Sequence, residues 1–224
     1  ISFKAKKGQT IAVIGSTGSG KSTLINLIPR YYDVTKGSVK VDGVDVRDMT
    51  QKELRDKLGY VPQKGVLFSG TIDSNIRYGK PEITDAQVKE AAEVAQATEF
   101  IDTKPEKYES PVSQGGTNVS GGQKQRLSIA RAIAKDPEIF IFDDSFSALD
   151  FKTDSQLRKA LKEYTKDATT VIVAQRISTI LGADQIIVLD DGHMAGIGTH
   201  KELMANCEVY QQIARSQLSE EELA

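Results

Sequence analysis

Residues 15–22 read Gly15-Ser16-Thr17-Gly18-Ser19-Gly20-Lys21-Ser22. This G-x-x-x-x-G-K-S spacing follows an apolar run, 10–14, and precedes a helical pattern that opens at Lys21. Glycines allow a backbone to wrap closely round phosphate oxygens, and the amides of such a turn and of the following helix N-terminus point at anions. Lys21 supplies positive charge for β- and γ-phosphates, and the Ser22 hydroxyl is a ligand for Mg²⁺. A second element, Ile139-Phe140-Ile141-Phe142-Asp143-Asp144, is an apolar strand ending in carboxylates. Beside a phosphate-binding loop, a carboxylate so placed holds the Mg²⁺ ion, which makes Asp143 the expected metal ligand. A third, Val119-Ser120-Gly121-Gly122-Gln123, opens a helix with capping-box spacing. The N–H groups of Ser120, Gly121 and Gly122 there form an anion site, and the two glycines let a phosphate approach without a Cβ clash.

The elements around these residues read as α/β, because short apolar runs alternate with helical patterns. A strand over 10–14 leads into the glycine-rich turn and a helix that should stop before Pro29. Residues 37–47 alternate about an Asp42-Gly43 turn signal, which predicts a β-hairpin. A short helix near 50–57 precedes a strand at 59–62. Residues 83–108 read as helical from a capping-box spacing at Thr84 and Gln87. Pro111 and Gly115-Gly116 break the chain, and a helix runs from Ser120 to about Ala134. Strand 138–143, helix 151–165, strand 169–174, a short helix, strand 184–190, a further strand and a helical pair from Thr199 complete the pattern. Strands entering helices this way favour a mainly parallel central sheet, with 83–134 as an all-helical insert.

Composition narrows the function classes. Among 224 residues, 29 Lys and Arg face 31 Asp and Glu, for a net charge of −2. That balance argues against a nucleic-acid partner or a polybasic membrane surface. No run of apolar residues exceeds four, against the roughly 20 a transmembrane helix needs, and no signal peptide is apparent. Cys207 is the single cysteine, so no internal disulfide is possible, which fits a reducing compartment. The chain opens at Ile1 without a Met, directly in strand-like sequence, and reads as a segment of a longer protein.

The run Ser120-Gly121-Gly122-Gln123-Lys124-Gln125-Arg126 resembles the signature motif of ATP-binding cassette (ABC) proteins. Ser147-Ala148-Leu149-Asp150, after the metal Asp, is similar to their D-loop, and Gln63 in Val61-Pro62-Gln63 to their Q-loop. All occur in the family's order and cover essentially the whole chain. The resemblance implies an ABC cassette: a mainly parallel central sheet with an antiparallel β subdomain (1–82 and 135–224) and an inserted α-helical subdomain (83–134). It implies ATP and Mg²⁺ as ligands, bound by Gly15, Ser16, Thr17, Gly18, Ser19, Gly20, Lys21, Ser22 and Thr23, with Gln63 beside Ser22 and Asp143 at the metal. It further implies that Ser120, Gly121, Gly122, Gln123, Ser147 and Asp150 face nucleotide across a head-to-tail pair of cassettes. Val66-Leu67-Phe68-Ser69-Gly70-Thr71-Ile72 and the segment 171–179 resemble the exporter branch. The exporter resemblance implies a place on the cytoplasmic face of a membrane and attachment to a transmembrane domain.

Two positions depart from the family pattern. Asp144 stands where the family has the Glu that orients the attacking water, and is one methylene shorter. Gln175 stands where the family has a switch His; Gln donates a neutral hydrogen bond but carries no proton or charge. General-base catalysis is worth about 10²–10⁴-fold, so a misplaced base slows hydrolysis without preventing binding. The expectation is an impaired cassette of an asymmetric heterodimer, with Lys21, Asp144 and Gln175 serving its own weak site. Its intact signature would complete the site of a partner that carries Glu and His. The alternatives are a homodimeric ATPase with unusual catalytic residues, an importer cassette, a soluble ABC protein, or a nucleotide sensor without turnover. Gly15 and Ser120 are only 105 residues apart with no heptad run, unlike DNA-repair members. The adenine-stacking aromatic of the family would precede this segment, and Tyr31 and Tyr32 read as packing residues.

Overall fold

A computed structural model describes residues 1–219. Strand β1 (Thr10–Gly15) is buried on both faces, as a central strand of a parallel sheet should be. Helix α1 (Lys21–Ile25) follows. It is shorter than the pattern up to Pro29 suggests: beyond Asn26 the amides of Leu27 and Ile28 bond three residues back, to Leu24 and Ile25, in tight turns. The expected hairpin is β2 (Lys40–Val41) and β3 (Val44–Asp45), paired antiparallel. Its turn residues Asp42 and Gly43 both have positive φ, 52° and 79°, the conformation that favours an Asp-Gly pair. Helix α2 (Gln51–Asp56) has a Thr50/Glu53 capping box, and β4 (Leu58–Val61) follows.

Between β4 and the signature segment lie β5 (Gly70–Thr71), α3 (Ile72–Ile76), α4 (Asp85–Val94), α5 (Thr98–Asp102) and β6 (Pro111–Val112). The Thr84/Gln87 capping box forms as its spacing predicts. Pro111 does not simply break the chain, because β6 pairs antiparallel with β5. A two-residue strand tolerates a proline that donates no ladder bond. Helix α6 (Gly121–Ala134), β7 (Ile139–Asp143) and α7 (Phe151–Tyr164) come next. The chain then forms β8 (Thr169–Val173), β9 (Gln185–Asp190), β10 (His193–Gly198), α8 (His200–Asn206) and α9 (Glu208–Gln217).

The chain divides into two units, 1–58 with 168–224 and 59–167. In the first, β1 lies between β8 and β9 and is parallel to both, and β10 closes the edge antiparallel to β9. Ala12, Ile14, Ile177, Ile186, Val188, Leu203 and Tyr210 pack into one apolar cluster of this unit. In the second, β4 neighbours β7, and α6 is buried along most of its length from Gln125 to Ala134. Both arrangements bring strand C-terminal ends to loops that carry the motif residues, the usual place for a ligand in an α/β sheet.

Candidate functional site

In the first unit the phosphate loop springs from the end of β1. Gly18 and Gly20 have φ of 82° and 97°, values a side-chain-bearing residue adopts only with strain. Gly15 is needed for a different reason: a Cβ there would lie 2.2 Å from the Leu189 carbonyl oxygen and 2.6 Å from Ser19 Oγ. The loop is closed by a Ser19 N–H to Ser16 O bond of 3.1 Å. Lys21 Nζ folds back over it and donates to Gly15 O at 2.9 Å and Ser16 O at 2.7 Å. Ser16, Thr17, Ser22 and Thr23 are exposed at the rim, whereas Ser19 is buried.

Two further segments of this unit flank the loop. Because β8 runs parallel to β1 with Val13 opposite Val173, Gln175 emerges at the same end of the sheet as the phosphate loop. Its residue is exposed, and its backbone carbonyl accepts a bond from Gln217. On the other side the β9–β10 turn supplies a Gly192 N–H that donates to Ser19 O at 3.1 Å. Gly192 was not evident as a site residue from sequence; the Asp191-Gly192 turn signal between two strands is what marks it.

The second unit holds the acidic residues. Asp143 ends β7, Asp144 follows it, and they are 7% and 8% exposed. Tyr60 donates its hydroxyl to Asp143 Oδ2 at 3.3 Å. Gln63 Nε2 donates to Asp144 Oδ2 at 3.0 Å, so these two motif residues are brought together. Asp144 has a φ of 47°, a left-handed conformation that Asp tolerates better than most residues. Ser145, fully buried, donates to Val61 O at 2.8 Å and ties the two strand ends. Ser147 Oγ donates to Asp144 O at 3.1 Å. Asp150 caps α7 by accepting the Thr153 N–H at 2.9 Å. Bonds from the Thr153 backbone and side chain hold its carboxyl below the ordinary carboxylate range.

The signature segment opens α6. Gln123 N–H donates to Ser120 Oγ at 3.2 Å and Ser120 N–H to Gln123 Oε1 at 3.1 Å. The capping box therefore occupies the Ser120 amide, which corrects the expectation that three amides serve an anion. Gly121 and Gly122 remain in the first turn, where a helix offers its amides no internal acceptor. A Cβ on Gly121 would meet nothing within 4 Å, and one on Gly122 only ordinary contacts with Ala148 and Leu149. Neither has a positive φ. The fold of this chain thus has no need for glycine at either position.

Gln125 stands in the signature run, but the sequence gives it no role of its own. It is 1% exposed, accepts the Gly65 N–H at 2.9 Å and donates to Pro62 O at 3.1 Å. It rivets the Gln63 loop to α6. Arg131, further along α6, donates to Val66 O, Asn75 O and Asn75 Oδ1 and lies over the stacked Phe68 and Tyr78 rings. Burial lowers its pKa to about 10.

A glycine-rich loop with a lysine folded across it, and a strand ending in paired aspartates, define a phosphate-binding nucleotide cassette. The profile of the ABC transporter family matches residues 1–147. This chain belongs to that family, and its fold is the ABC cassette. It is 50% identical over 220 residues to an uncharacterized ABC transporter ATP-binding protein of Mycobacterium tuberculosis, covering 97% of this chain and 38% of that protein. It is 47% identical over 213 residues to a Staphylococcus aureus protein named for multidrug export as an ATP-binding/permease protein, covering 95% and 37%. The solved structure of a bacterial Atm1-family ABC exporter with ATP bound superposes with a TM-score of 0.91 at 39% identity, covering 95% of this chain and 38% of that one. The chain thus spans a little over a third of the length of these relatives.

Proposed function

We propose that this chain is the ATP-driven motor domain of an ABC exporter, that its own nucleotide site hydrolyses slowly, and that its signature completes the site of a different partner cassette. The residues suit Mg-ATP: an ammonium and backbone amides are what phosphate oxygens take, and a serine hydroxyl and a carboxylate are what the hard cation takes. Residues 15–20 bind the phosphates through their amides. Lys21 leaves Gly15 O and Ser16 O to neutralise the terminal phosphates. Ser22, Thr23, Gln63 and Asp143 serve the nucleotide and its metal, and Mg²⁺ supplies charge neutralisation at the transferring phosphoryl group. Asp144 and Gln175 hold the places of base and γ-phosphate sensor, each with weaker chemistry than Glu or His.

The observation that carries this reading is a contrast within the second unit. Asp144, already short for a base, has its carboxylate engaged by Gln63 at 3.0 Å, whereas the signature turn is intact and presents glycines that its own chain does not require. Such glycines make sense where a phosphate from outside approaches the backbone. In this reading Ser120, Gly121, Gly122 and Gln123 clamp the partner's γ-phosphate, with Ser147 and Asp150 at the same interface. Residues 83–134 form the arm that carries them. No described helix is long and apolar enough to cross a membrane; the exporter homologues support an attached transmembrane domain and a place on the cytoplasmic face.

Vanadate trapping of a photoreactive ATP analogue in the assembled transporter tests the assignment. Label accumulates on the partner cassette, and Ser120→Arg in this chain abolishes it. Equal labelling of both cassettes, insensitive to Ser120→Arg, contradicts the reading.

A further inference from the structure

The last residue of α9 bonds to both sides of the segment that carries Gln175. Gln217 Nε2 donates to the Gln175 carbonyl oxygen at 2.8 Å, and Gln217 Oε1 accepts the Ile177 N–H at 2.8 Å. One primary amide therefore satisfies a backbone acceptor and a backbone donor two residues apart, as an extra strand would. The groups it joins are 40 and 42 residues distant in sequence, so the contact is not a local turn.

Helix α9 is placed to make this contact stiff. Tyr210, Ala214 and Gln217 fall at i, i+4 and i+7, one face of the helix. Tyr210 and Ala214 are fully buried in the cluster that also contains Ile14, Ala174 and Ile177. The Tyr210 hydroxyl is within 2.8 Å of His200 Nδ1, which fixes the helix to α8. The polar end of an apolar stripe thus reaches the short stretch between β8 and the turn at Ile177–Thr179, where Gln175 itself is exposed.

We infer that Gln217 is a positioning residue for γ-phosphate sensing: its amide holds the 175–177 backbone so that the Gln175 side chain is presented in one orientation. This rests on the reading of Gln175 as the γ-phosphate sensor. A side chain that acts by hydrogen bonding to one phosphate loses that selectivity when its backbone is free to shift by about an ångström.

The test uses the whole chain and three variants, Gln217→Met, Gln217→Glu and Gln175→Ala. Methionine keeps length, packing and helix propensity but offers neither bond. Glutamate keeps the acceptor for Ile177 N–H and loses the donor. Hydrogen exchange at Ile177 and the ratio of ADP to ATP dissociation constants are measured for each. The expected result is Ile177 exchange at least about tenfold faster in Gln217→Met and nearer wild type in Gln217→Glu. The ADP/ATP ratio in both Gln217 variants falls toward that of Gln175→Ala. If Gln175→Ala lowers the ratio while Gln217→Met leaves it at the wild-type value, the inference is overturned and the sensor reading stands. If Gln175→Ala itself changes nothing, the sensor reading fails and the inference falls with it.

Discussion

Gln63 donates its side-chain amide to the Asp144 carboxylate at 3.0 Å. The two come from strand ends that neighbour each other, β4 and β7, and Gln125 pins the loop that carries Gln63 to the signature helix. The Gln63 loop is thus held both to the carboxylate that follows β7 and to the signature helix. Any change at Asp144 is therefore also a change in what the Gln63 loop is held by.

Lys21 tests nucleotide binding with least disturbance to the fold. It is half-buried, and its bonds to the Gly15 and Ser16 carbonyl oxygens are ones that solvent can serve in its place. Charge-assisted bonds of this kind contribute about 1.5–3 kcal/mol, so Lys21→Ala should weaken Mg-ATP binding roughly 10- to 100-fold. Calorimetric titration reads the affinity, and a thermal melt within a few degrees of wild type confirms that the fold is intact.

Gly15 and Gly121 should separate structural from functional glycines. A methyl on Gly15 collides with the Leu189 carbonyl at 2.2 Å, in a strand paired to β1, so Gly15→Ala should cost at the upper end of about 1–3 kcal/mol and lower the melting temperature by several degrees. Gly121→Ala meets nothing within 4 Å and replaces a poor helix former by the best one. It should melt at or above the wild-type temperature while abolishing ATP hydrolysis in the assembled pair. Full activity with Gly121→Ala would show that no phosphate approaches this turn.

Several elements are legible in the sequence because their causes are local. The Asp42-Gly43 hairpin and the capping boxes at Thr84 and Ser120 depend on residues within a few positions of one another, and the 15–22 loop shows as one continuous motif. The core strands show as apolar runs. What is not legible depends on distant partners. Strands β5 and β6 are two residues long, too short for any periodicity, and each exists because the other pairs with it. Gln125 and Gln217 look like ordinary polar helix residues until the fold brings backbone groups 40 to 63 positions away against them. The occupied Ser120 amide is legible too, because the Gln123 side chain of a capping box takes the N–H of the capping residue.

Asp150 gives the account a pH dependence. The Thr153 bonds depress its folded carboxyl value below that of an unfolded aspartate, about 3.9. A depressed carboxyl stabilises the fold fully above the unfolded value and loses that contribution as pH falls through the folded one. The difference in melting temperature between wild type and Asp150→Ala should therefore be constant from pH 7 to about 5 and shrink below about 4. A difference that stays the same down to pH 3 would show that the charge of Asp150 adds nothing to its cap.

The central claim is that Asp144 and Gln175 make this chain's own site slow. Single-turnover Mg-ATP hydrolysis by the chain, beside the Asp144→Glu/Gln175→His double variant, tests it most directly. The φ of 47° at Asp144 suits Asp better than Glu, so a small loss of stability is expected in the variant. Both proteins should bind ATP with similar affinity, and the double variant should hydrolyse it about 10²-fold or more faster, the scale of a restored general base. Equal rates in the two would contradict the account and make Asp144 an adequate base in a cassette that needs no consensus partner.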